Sequence, residues 1–387
     1  MKTAWMYFSQ PNVGGAQLSS LALADGLRGS GWKIDFCFSY YGPLIEECTH
    51  HGHDMDWLPM PEWYRFRYNK SFLFQIIWLI GTLFLATKIV FFLRRKRPDL
   101  IYLIGRRDVV LCAPAAKLLG IPMIYHLHGF GLGEIDFLSR LALKVTQWIK
   151  ASAVFNSIHT LEIARRVGWH GDAPVIYNGI DFDPSWDMDR QMARGSFGTE
   201  PGKLVIGTAS RISPGKNLET LIRAMANLKE KLPRDFILLI AGAEDIFQKG
   251  RLVKELKQLA DDLKISDRIR WLGHCREMGR FYRALDIFIL LTRFESFGRV
   301  FVEAMAAEVP TIGTRVGGVS EIIEDGKTGI FVGVDDAEGA ARAVIKLLEN
   351  PDWAATMARQ GRESVRSRFS LEAHVHQMIE VFNQVVR

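Results

Sequence analysis

Short apolar runs alternate along this chain with segments whose apolar residues recur every three or four positions. Residues 4–9 predict a buried strand, Gly14 and Gly15 form a turn that opens a helix over residues 16–28, and residues 33–39 predict a second strand. Two strands joined by a helix in this way form a βαβ unit with parallel strands. The pattern therefore predicts an α/β fold.

The same alternation continues and falls into two series. The first series has further predicted strands at residues 100–104, 123–126, 151–156 and 174–177, and the second at 204–209, 236–241, 269–272, 287–291, 311–313 and 329–332. The polar residues 181–201 between them predict a linker. We expect two doubly wound, Rossmann-like domains, residues 1–182 and 183–370, that face each other across a cleft.

A helical stripe of apolar residues marks the last segment, residues 371–387. Its members are Leu371, Val375, Met378, Ile379 and Phe382. A stripe of this kind needs a partner surface to bury it. We therefore expect a terminal helix that docks on another part of the chain.

The composition is that of a soluble globular protein. Hydrophobic residues make up 48% and charged residues 24% of the 387 residues, which excludes a disordered chain. The four cysteines show no CxxC or metal-ligand spacing, and they predict reduced, intracellular thiols. The first ten residues run into a strand without a signal-peptide pattern, so we expect a cytoplasmic protein.

Positive charge is concentrated in one part of the first series. The formal net charge is +6, whereas residues 60–150 alone hold 14 Lys and Arg against 5 Asp and Glu. Within this window, residues 72–93 are apolar apart from a few polar side chains, and Lys88 is their one charge. A basic cluster, residues 94–97, follows at once.

Three structures fit this apolar run. Its length allows a membrane-spanning helix, its composition suits a helix of the core, and the basic cluster favours a helix lying on an anionic membrane. A spanning helix would put strands of one sheet on opposite sides of a bilayer, where they could not pair. We therefore expect one of the other two.

Two constellations in the second series carry candidate chemistry. Arg211 and Lys216 lie between a predicted strand and a helix, where two cations can hold a diphosphate, although solvated loops often contain such a pair. Glu295 is expected in a loop at a strand end and Glu303, after seven intervening residues, inside the next helix. The two would contact different parts of one ligand rather than form an acid/base pair, although two surface glutamates would show the same spacing. Gly298 between them lets the backbone approach a ligand closely.

His128 follows a predicted strand of the first series and is expected at the cleft, where strand ends deliver ligands. A lone histidine is more often structural, so its position alone leaves both roles open. We expect its neighbour His126 to point to the opposite side of the strand. Gly317 and Gly318 begin a further helix at a position that suits either a phosphate or a plain tight turn.

These motifs occur together in the order typical of glycosyltransferase family 4, and the chain resembles that family over essentially its whole length. The matching positions are Gly14-Gly15, His128, Asn178-Gly179-Ile180-Asp181, Arg211 with Lys216, Glu295 to Glu303 with Phe297 and Gly298 between them, and Gly317-Gly318. The segment from Glu295 to Glu303 is the most specific of them. The resemblance implies a GT-B fold of two Rossmann-like domains, with a last helix that crosses back to the first domain.

The resemblance also implies a role for each matching residue of the second domain. Arg211 and Lys216 would bind the diphosphate of a nucleotide-sugar donor and neutralise the leaving group. Glu295, assisted by the backbone of residues 297–298, would hold the hydroxyls of the donor sugar. Glu303 would hydrogen-bond the ribose of the nucleotide.

In the first domain, the resemblance implies that His128 lies against the donor sugar and that Gly14 and Gly15 line the junction of donor and acceptor. The implied reaction is transfer of a hexosyl group from a UDP- or GDP-sugar to a glycan acceptor, either lipid-linked or lipopolysaccharide. We expect retention of the anomeric configuration, because no well-placed carboxylate nucleophile stands out in the first domain. No cofactor and no metal are expected, because fixed cations can stabilise the leaving diphosphate.

The expected membrane partner follows from the basic window. Residues 60–97 are expected to hold the enzyme peripherally on the anionic inner face of the cell membrane. Nucleic acid is not an expected partner, because the sequence shows no recognised binding module. Two other functions stay open at this point: a sugar-nucleotide epimerase of the same fold and a nucleotide-sugar-binding protein without activity.

Overall fold

The computed structural model describes residues 1–60, 72–130, 135–182, 184–200, 202–244 and 250–386. The chain divides into two compact units, Met1–Gly179 together with Leu371–Arg387, and Ile180–Ser370. Each unit is built on its own six-stranded sheet. The predicted fold class, two doubly wound α/β domains, is confirmed.

All neighbouring strands of the first unit are parallel, in the order β3-β2-β1-β4-β5-β6. The strands are β1 (Lys2–Phe8), β2 (Trp32–Phe38), β3 (Met55–Trp57), β4 (Leu100–Leu103), β5 (Met123–Leu127) and β6 (Ser152–Phe155). Helices occur between and after them because parallel strands need a crossover connection. These helices are α1 (Gly15–Gly26), α2 (Pro43–His50), α3 (Phe72–Lys96), α4 (Arg106–Leu119), α5 (Phe137–Trp148) and α6 (Ile158–Arg166).

The second unit repeats this architecture with the strand order β12-β11-β10-β7-β8-β9. Its strands are β7 (Leu204–Ala209), β8 (Phe236–Ala241), β9 (Ile269–Gly273), β10 (Ile287–Leu290), β11 (Thr311–Thr314) and β12 (Ile330–Val332). Its helices are α7 (Arg190–Ser196), α8 (Leu218–Lys231), α9 (Arg251–Asp262), α10 (Met278–Ala284), α11 (Arg299–Ala306), α12 (Val319–Ile322), α13 (Ala337–Glu349) and α14 (Pro351–Arg368).

Two apolar cores cover the two faces of the first sheet. Successive side chains of a strand point to opposite faces, so Trp5 and Tyr7 enter the core beneath α3, α4 and α5. Met6 and Phe8 enter the core beneath α1 and α2. The helices of the first unit are thereby sorted into two layers, one on each face of the sheet.

The terminal helix α15 (Leu371–Val385) packs against α1 in the first unit. It closes the second of these cores with the buried side chains Val375, Met378 and Phe382. The ring of Phe382 meets that of Trp32 edge-on, with the centroids 5.1 Å apart. Gly26 permits the close approach, because a Cβ atom there would lie 2.4 Å from Cγ2 of Val375.

Helix α3 buries one side of its second half and exposes the other. Leu85, Ile89 and Leu93, spaced four residues apart, belong to the core beneath it. Phe84 and Phe91 are 52% and 71% exposed. One side of this part of the helix therefore belongs to the core, as one of the two remaining hypotheses predicted. The other side has no core contact and exposes large apolar side chains. Among the described residues, no helix combines the length and the apolar character that crossing a bilayer requires.

Two predictions about helices and strands were wrong. Residues 181–201 are not a plain linker, because they contain a short 3-10 turn and helix α7. Arg194 of α7 is buried, donates to the carbonyl of Ala284 at 3.1 Å and pairs with Asp286 at 2.6 Å. The strand expected at residues 174–177 is a single bridge between Phe155 and Val175.

Candidate functional site

Three loops of the second unit meet at one edge of its sheet. They follow β7, β10 and β11, which are neighbouring parallel strands, so their carboxyl ends lie side by side. The loop after β7 carries Arg211 and Lys216, the loop after β10 carries Glu295, and Gly317 and Gly318 follow β11. Strand ends of this kind are where α/β sheets bind ligands.

Lys216 and Glu295 are brought together at this edge. Lys216 Nζ donates to Oε2 of Glu295, and the two side chains are only 19% and 16% exposed. Arg211 lies on the same loop as Lys216, but its side chain is exposed. The structure therefore offers one cation held against the carboxylate and a second that faces solvent.

The loop that carries Lys216 is fixed to the end of β10. The carbonyl of Gly215 accepts hydrogen bonds from the backbone N–H of Arg293 at 2.8 Å and from Oγ1 of Thr292 at 2.9 Å. Asn217, in the left-handed conformation with φ 56°, donates through Nδ2 to the carbonyl of Leu291 at 3.0 Å. Lys216 is therefore held between two anchored residues.

The loop that carries Glu295 touches the next loop backbone to backbone. The N–H of Gly318 donates to the carbonyl of Glu295 at 3.0 Å. A Cβ atom at Gly318 would lie 2.4 Å from the carbonyl oxygen of Ser296 and 2.6 Å from Cα of Phe297. Gly298, with φ 106°, takes the left-handed conformation that opens α11. Both glycines are thus required by the shape of the loop.

Glu303 has partners of its own on α10 and α11. Its Oε2 accepts from the hydroxyl of Tyr282 at 2.8 Å, and its Oε1 accepts from Nε of Arg299 at 2.7 Å. Burial, with the nearby Glu303 carboxylate as a second cause, raises the pKa of Tyr282 well above its usual value, so the hydroxyl stays protonated and donates. Glu295 and Glu303 therefore have separate hydrogen-bond partners.

Tyr282 and Arg299 did not stand out in the sequence. The four-residue step from Arg299 to Glu303 on one helix would have indicated their ion pair. Tyr282 comes from a different helix, and only the fold brings it to Glu303. It could not have been found from spacing.

In the first unit, His128 lies directly after β5, beside a second histidine. The prediction that His126 points to the opposite side was wrong: the two ring centroids are 4.1 Å apart. Residues two apart in a strand share a face, because the side-chain direction alternates with every residue. Nδ1 of His126 is 2.7 Å from the hydroxyl of Tyr102, and the ring of His374 from α15 lies 6.2 Å away.

Burial keeps His126 and His128 uncharged. It lowers the pKa of His128 to about 3, and it lowers the pKa of His126 well below the usual value. Within the part of the chain that the structure describes, neither ring nitrogen of His128 has a hydrogen-bond partner. His128 is therefore a neutral imidazole whose two ring nitrogens are buried.

Gly14 and Gly15 begin α1 after β1. A Cβ atom at Gly15 would meet nothing within 4 Å, so the backbone here borders open space. The sequence did not reveal the buried carboxylate nearby: Asp108, at the start of α4, accepts from the N–H of Ser9 at 3.1 Å. Burial raises the pKa of Asp108 to about 6.

The described residues contain no group of three or more His, Cys, Asp or Glu side chains arranged to hold a metal ion. Arg211, Lys216, Glu295 and Glu303 lie on the loops and helices at one edge of the second sheet, whereas Gly14, Gly15 and His128 lie after strands of the first. What the second unit offers is a cation and two separate carboxylates beside the start of α11. That set suits a ligand with both anionic and hydroxyl groups.

Known families match both halves of the chain. The family described as Glycosyltransferase Family 4 matches residues 13–184, and the family described as Glycosyl transferases group 1 matches residues 189–364. Together the two matches cover most of both units.

Individual proteins are similar over most of the chain. The N-acetyl-alpha-D-glucosaminyl L-malate synthase of Bacillus anthracis is 29% identical over 309 residues, 78% of this chain and 79% of that protein. The lipopolysaccharide core biosynthesis glycosyltransferase LpsE of Rhizobium meliloti is 27% identical over 296 residues, 76% of this chain and 78% of that protein. The crystal structure of Anabaena Alr3699/HepE in complex with UDP and glucose shares the fold, with a TM-score of 0.82 at 23% identity over 99% of this chain and 100% of that one.

Proposed function

Because the chain belongs to the glycosyltransferases, with a family 4 domain followed by a group 1 domain in a GT-B fold, we propose that it transfers a hexosyl group from a UDP- or GDP-sugar to a glycan acceptor. The observation that carries this proposal is the pairing of Lys216 with Glu295 where neighbouring strands end. It combines a cation for a diphosphate with a carboxylate for sugar hydroxyls.

Donor binding would exchange the partners of this pair. In the free protein, Lys216 and Glu295 neutralise each other in a largely buried place. A diphosphate would take over Lys216, and the exposed Arg211 on the same loop would add a second positive charge. Glu295 would then accept hydrogen bonds from the sugar, and Glu303, held by Tyr282, would accept from the ribose.

The chemical step we propose is retaining and independent of a metal. The bond from the anomeric carbon to the diphosphate oxygen breaks, the acceptor oxygen bonds to the same face of that carbon, and the acceptor proton leaves with the diphosphate. Lys216 and Arg211 would stabilise the negative charge that develops on the leaving group. His128, a neutral imidazole directly after β5, would serve the sugar as a hydrogen-bond partner.

The acceptor we propose is a lipid-linked glycan or lipopolysaccharide at the cytoplasmic face of the membrane. The similarity to LpsE supports this acceptor class. The exposed Phe84 and Phe91 of α3, with the basic residues 94–97 after them, support peripheral contact with an anionic membrane through residues 60–97. Residues 61–71 of that segment lie outside the described residues.

Two substitutions test the donor site. With EDTA present, the wild type is expected to hydrolyse its donor slowly and to transfer its sugar to an added acceptor. Lys216→Ala and Glu295→Gln should each lower kcat/KM by about 100-fold or more, because each removes a fixed contact to the transition state. Lys254→Ala, an exposed lysine of α9, is the matched control and should retain full activity.

Several results would contradict the proposal. Unchanged rates in both site variants would overturn the assignment of the site. Activity that disappears with EDTA and returns with a divalent cation would overturn metal independence, and an inverted anomer in the NMR spectrum of the product would overturn retention. Epimerisation of the donor sugar without acceptor, or tight nucleotide binding without any turnover, would replace the proposed reaction.

A further inference from the structure

The side chain of Arg293 joins three segments around the turn that carries Lys216. Its Nη1 donates to the carbonyl of Pro214 at 3.1 Å, within that turn. Its Nη2 pairs with Glu219, in the first turn of α8, at 2.6 Å. Its Nε donates to Asp335, which follows the edge strand β12, at 2.9 Å. One guanidinium thus ties the turn to the helix after it and to a loop at the edge of the sheet.

Asp335 extends these contacts to the other side of the turn. Its Oδ1 accepts from Nδ2 of Asn217 at 3.0 Å, and Asn217 is the buried residue that directly follows Lys216. The hydrogen bond from Arg293 lowers the pKa of Asp335 below its usual value, which keeps this carboxylate charged. Arg293 therefore holds the chain directly before Lys216, and through Asp335 it holds the chain after Lys216.

These contacts lie near the surface and on one side of the turn. The side chains of Arg293, Glu219 and Asp335 are 36%, 45% and 53% exposed, and exposed ion pairs stabilise a fold only weakly. All three line a groove beside α9, whereas the side chain of Lys216 pairs with Glu295. The contacts of Arg293 therefore fix the backbone that carries Lys216 and leave the ammonium of Lys216 to another partner.

We propose that Arg293 is a positioning residue, which holds the turn so that the ammonium of Lys216 stays where the diphosphate of the donor binds. This deepens the proposed function and rests on the role given there to Lys216. When a diphosphate replaces Glu295 as the partner of Lys216, the ion pair that held the ammonium is lost, and the backbone of the turn has to fix it. A cation that is already in place stabilises the developing charge without reorganisation, and a small displacement of such a group is costly.

A double-mutant cycle on the full chain tests this role. UDP and GDP are titrated into wild type by calorimetry, and the nucleotide that binds is the probe for all variants. Lys216→Ala should weaken its binding by about 30-fold, and Arg293→Ala should weaken it by about tenfold. In the Lys216→Ala background, Arg293→Ala should cost less than about twofold, because no ammonium is left to position. Slow hydrolysis of the donor should show the same pattern.

Two further variants separate positioning from charge and from surface ion pairing in general. Arg293→Lys keeps the positive charge, but one ammonium cannot make all three contacts of the guanidinium, so nucleotide binding should stay weak. Arg342→Ala on α13 is the matched control, because Arg342 also pairs with two carboxylates, Asp336 and Glu338, and it should bind like wild type. Each variant should unfold in urea near the wild-type midpoint, because exposed ion pairs contribute little to stability.

The outcomes separate this role from the proposed function on which it rests. If neither nucleotide binds wild type, or if Lys216→Ala binds like wild type, the proposed donor site is wrong and the role of Arg293 is overturned with it. If Lys216→Ala weakens binding and Arg293→Ala does not, the donor site stands and the positioning role alone is overturned. Equal losses from Arg293→Ala with and without Lys216 would show a contact independent of Lys216, and full binding by Arg293→Lys would show an effect of charge alone. Either result overturns the positioning role.

Discussion

Asp108 shows how burial sets the chemistry of a single side chain in this protein. Its carboxylate is 5% exposed and accepts a hydrogen bond from the N–H of Ser9. Burial raises its pKa from the usual 3.8 to about 6. The folded protein therefore holds this proton more tightly than the unfolded chain does.

A dependence of stability on pH follows from Asp108. Because the folded pKa is raised, its contribution to stability is present at low pH and is lost as the pH rises through about 6. Asp108→Asn should therefore stabilise the protein more at pH 7.5 than at pH 5, by a difference of about 1 kcal/mol. Urea unfolding at both pH values measures it.

The control for Asp108 is a carboxylate on the surface of the same unit. Asp54 is exposed, and Asp54→Asn should give no such difference between the two pH values. An Asp108→Asn variant that shows the same stability change at pH 5 and pH 7.5 would contradict the argument.

Gly318 tests the backbone contact beneath the donor site. A Cβ atom there would press on the backbone of residues 296–297, which has no flexible end to move aside. Gly318→Ala should therefore lower the free energy of unfolding by about 1–3 kcal/mol. Gly195→Ala is the control, because its Cβ would meet nothing within 4 Å inside α7 and should not destabilise. Equal stability of the two variants, measured by urea unfolding, would show that the loop accommodates the methyl group.

At the scale of single residues, the sequence predicts which element a site residue lies on better than it predicts which side chain that residue contacts. The positions of Lys216, Glu295 and Glu303 at strand ends and on a helix follow from their spacing. That Lys216 meets Glu295 and that Tyr282 meets Glu303 depends on which strands and helices are neighbours. These contacts join residues far apart in the chain, and no local pattern contains them.

At the scale of elements, the terminal helix α15 docks through buried side chains that include the ring of Phe382. Phe382 is fully buried and contacts the rings of Trp32 and Tyr102 edge-on, at 5.1 and 5.4 Å. Phe382→Ala should cost about 3–5 kcal/mol of stability, because it removes a large side chain from a packed core.

Calorimetry of the full chain measures the effect of Phe382→Ala. The exposed Gln377 lies on the same helix, and Gln377→Ala should leave the transition unchanged. If Phe382→Ala unfolds at the wild-type temperature, α15 contributes little to the first unit and its docking is incidental.

Helices and strands were predicted correctly where the apolar periodicity is strong. They were missed where polar residues form ion pairs within the fold. The stripe of α15 and most strands of both sheets were evident from their apolar spacing, whereas β3 (Met55–Trp57) was not predicted. Helix α7 lies within residues 181–201, whose polar character predicts a linker, whereas its Arg190 and Arg194 pair with Asp286. These ion pairs cannot be predicted from the sequence, because they depend on where the fold places Asp286.

At the scale of the whole molecule, the sequence predicted the two-domain architecture and revealed the excess of positive charge. It did not predict where on the fold that charge lies. Two series of alternating strands and helices predicted two doubly wound domains, since that pattern has few alternatives. The excess of basic residues in one window was equally visible. Only the sheet topology shows that it covers one helical layer while the opposite layer is acidic, because layers are assembled from segments that are far apart in sequence.

The return of the chain from the second unit to the first has a consequence for biosynthesis. Ribosomes make residues 371–387 after the whole of the second unit, yet these residues belong to the first. Until they emerge, the apolar layer around Trp32 and Tyr102 lacks its cover. The second unit, although made later, is complete within one continuous stretch and can fold before the first is finished, so the nascent first unit is the part that chaperones must protect.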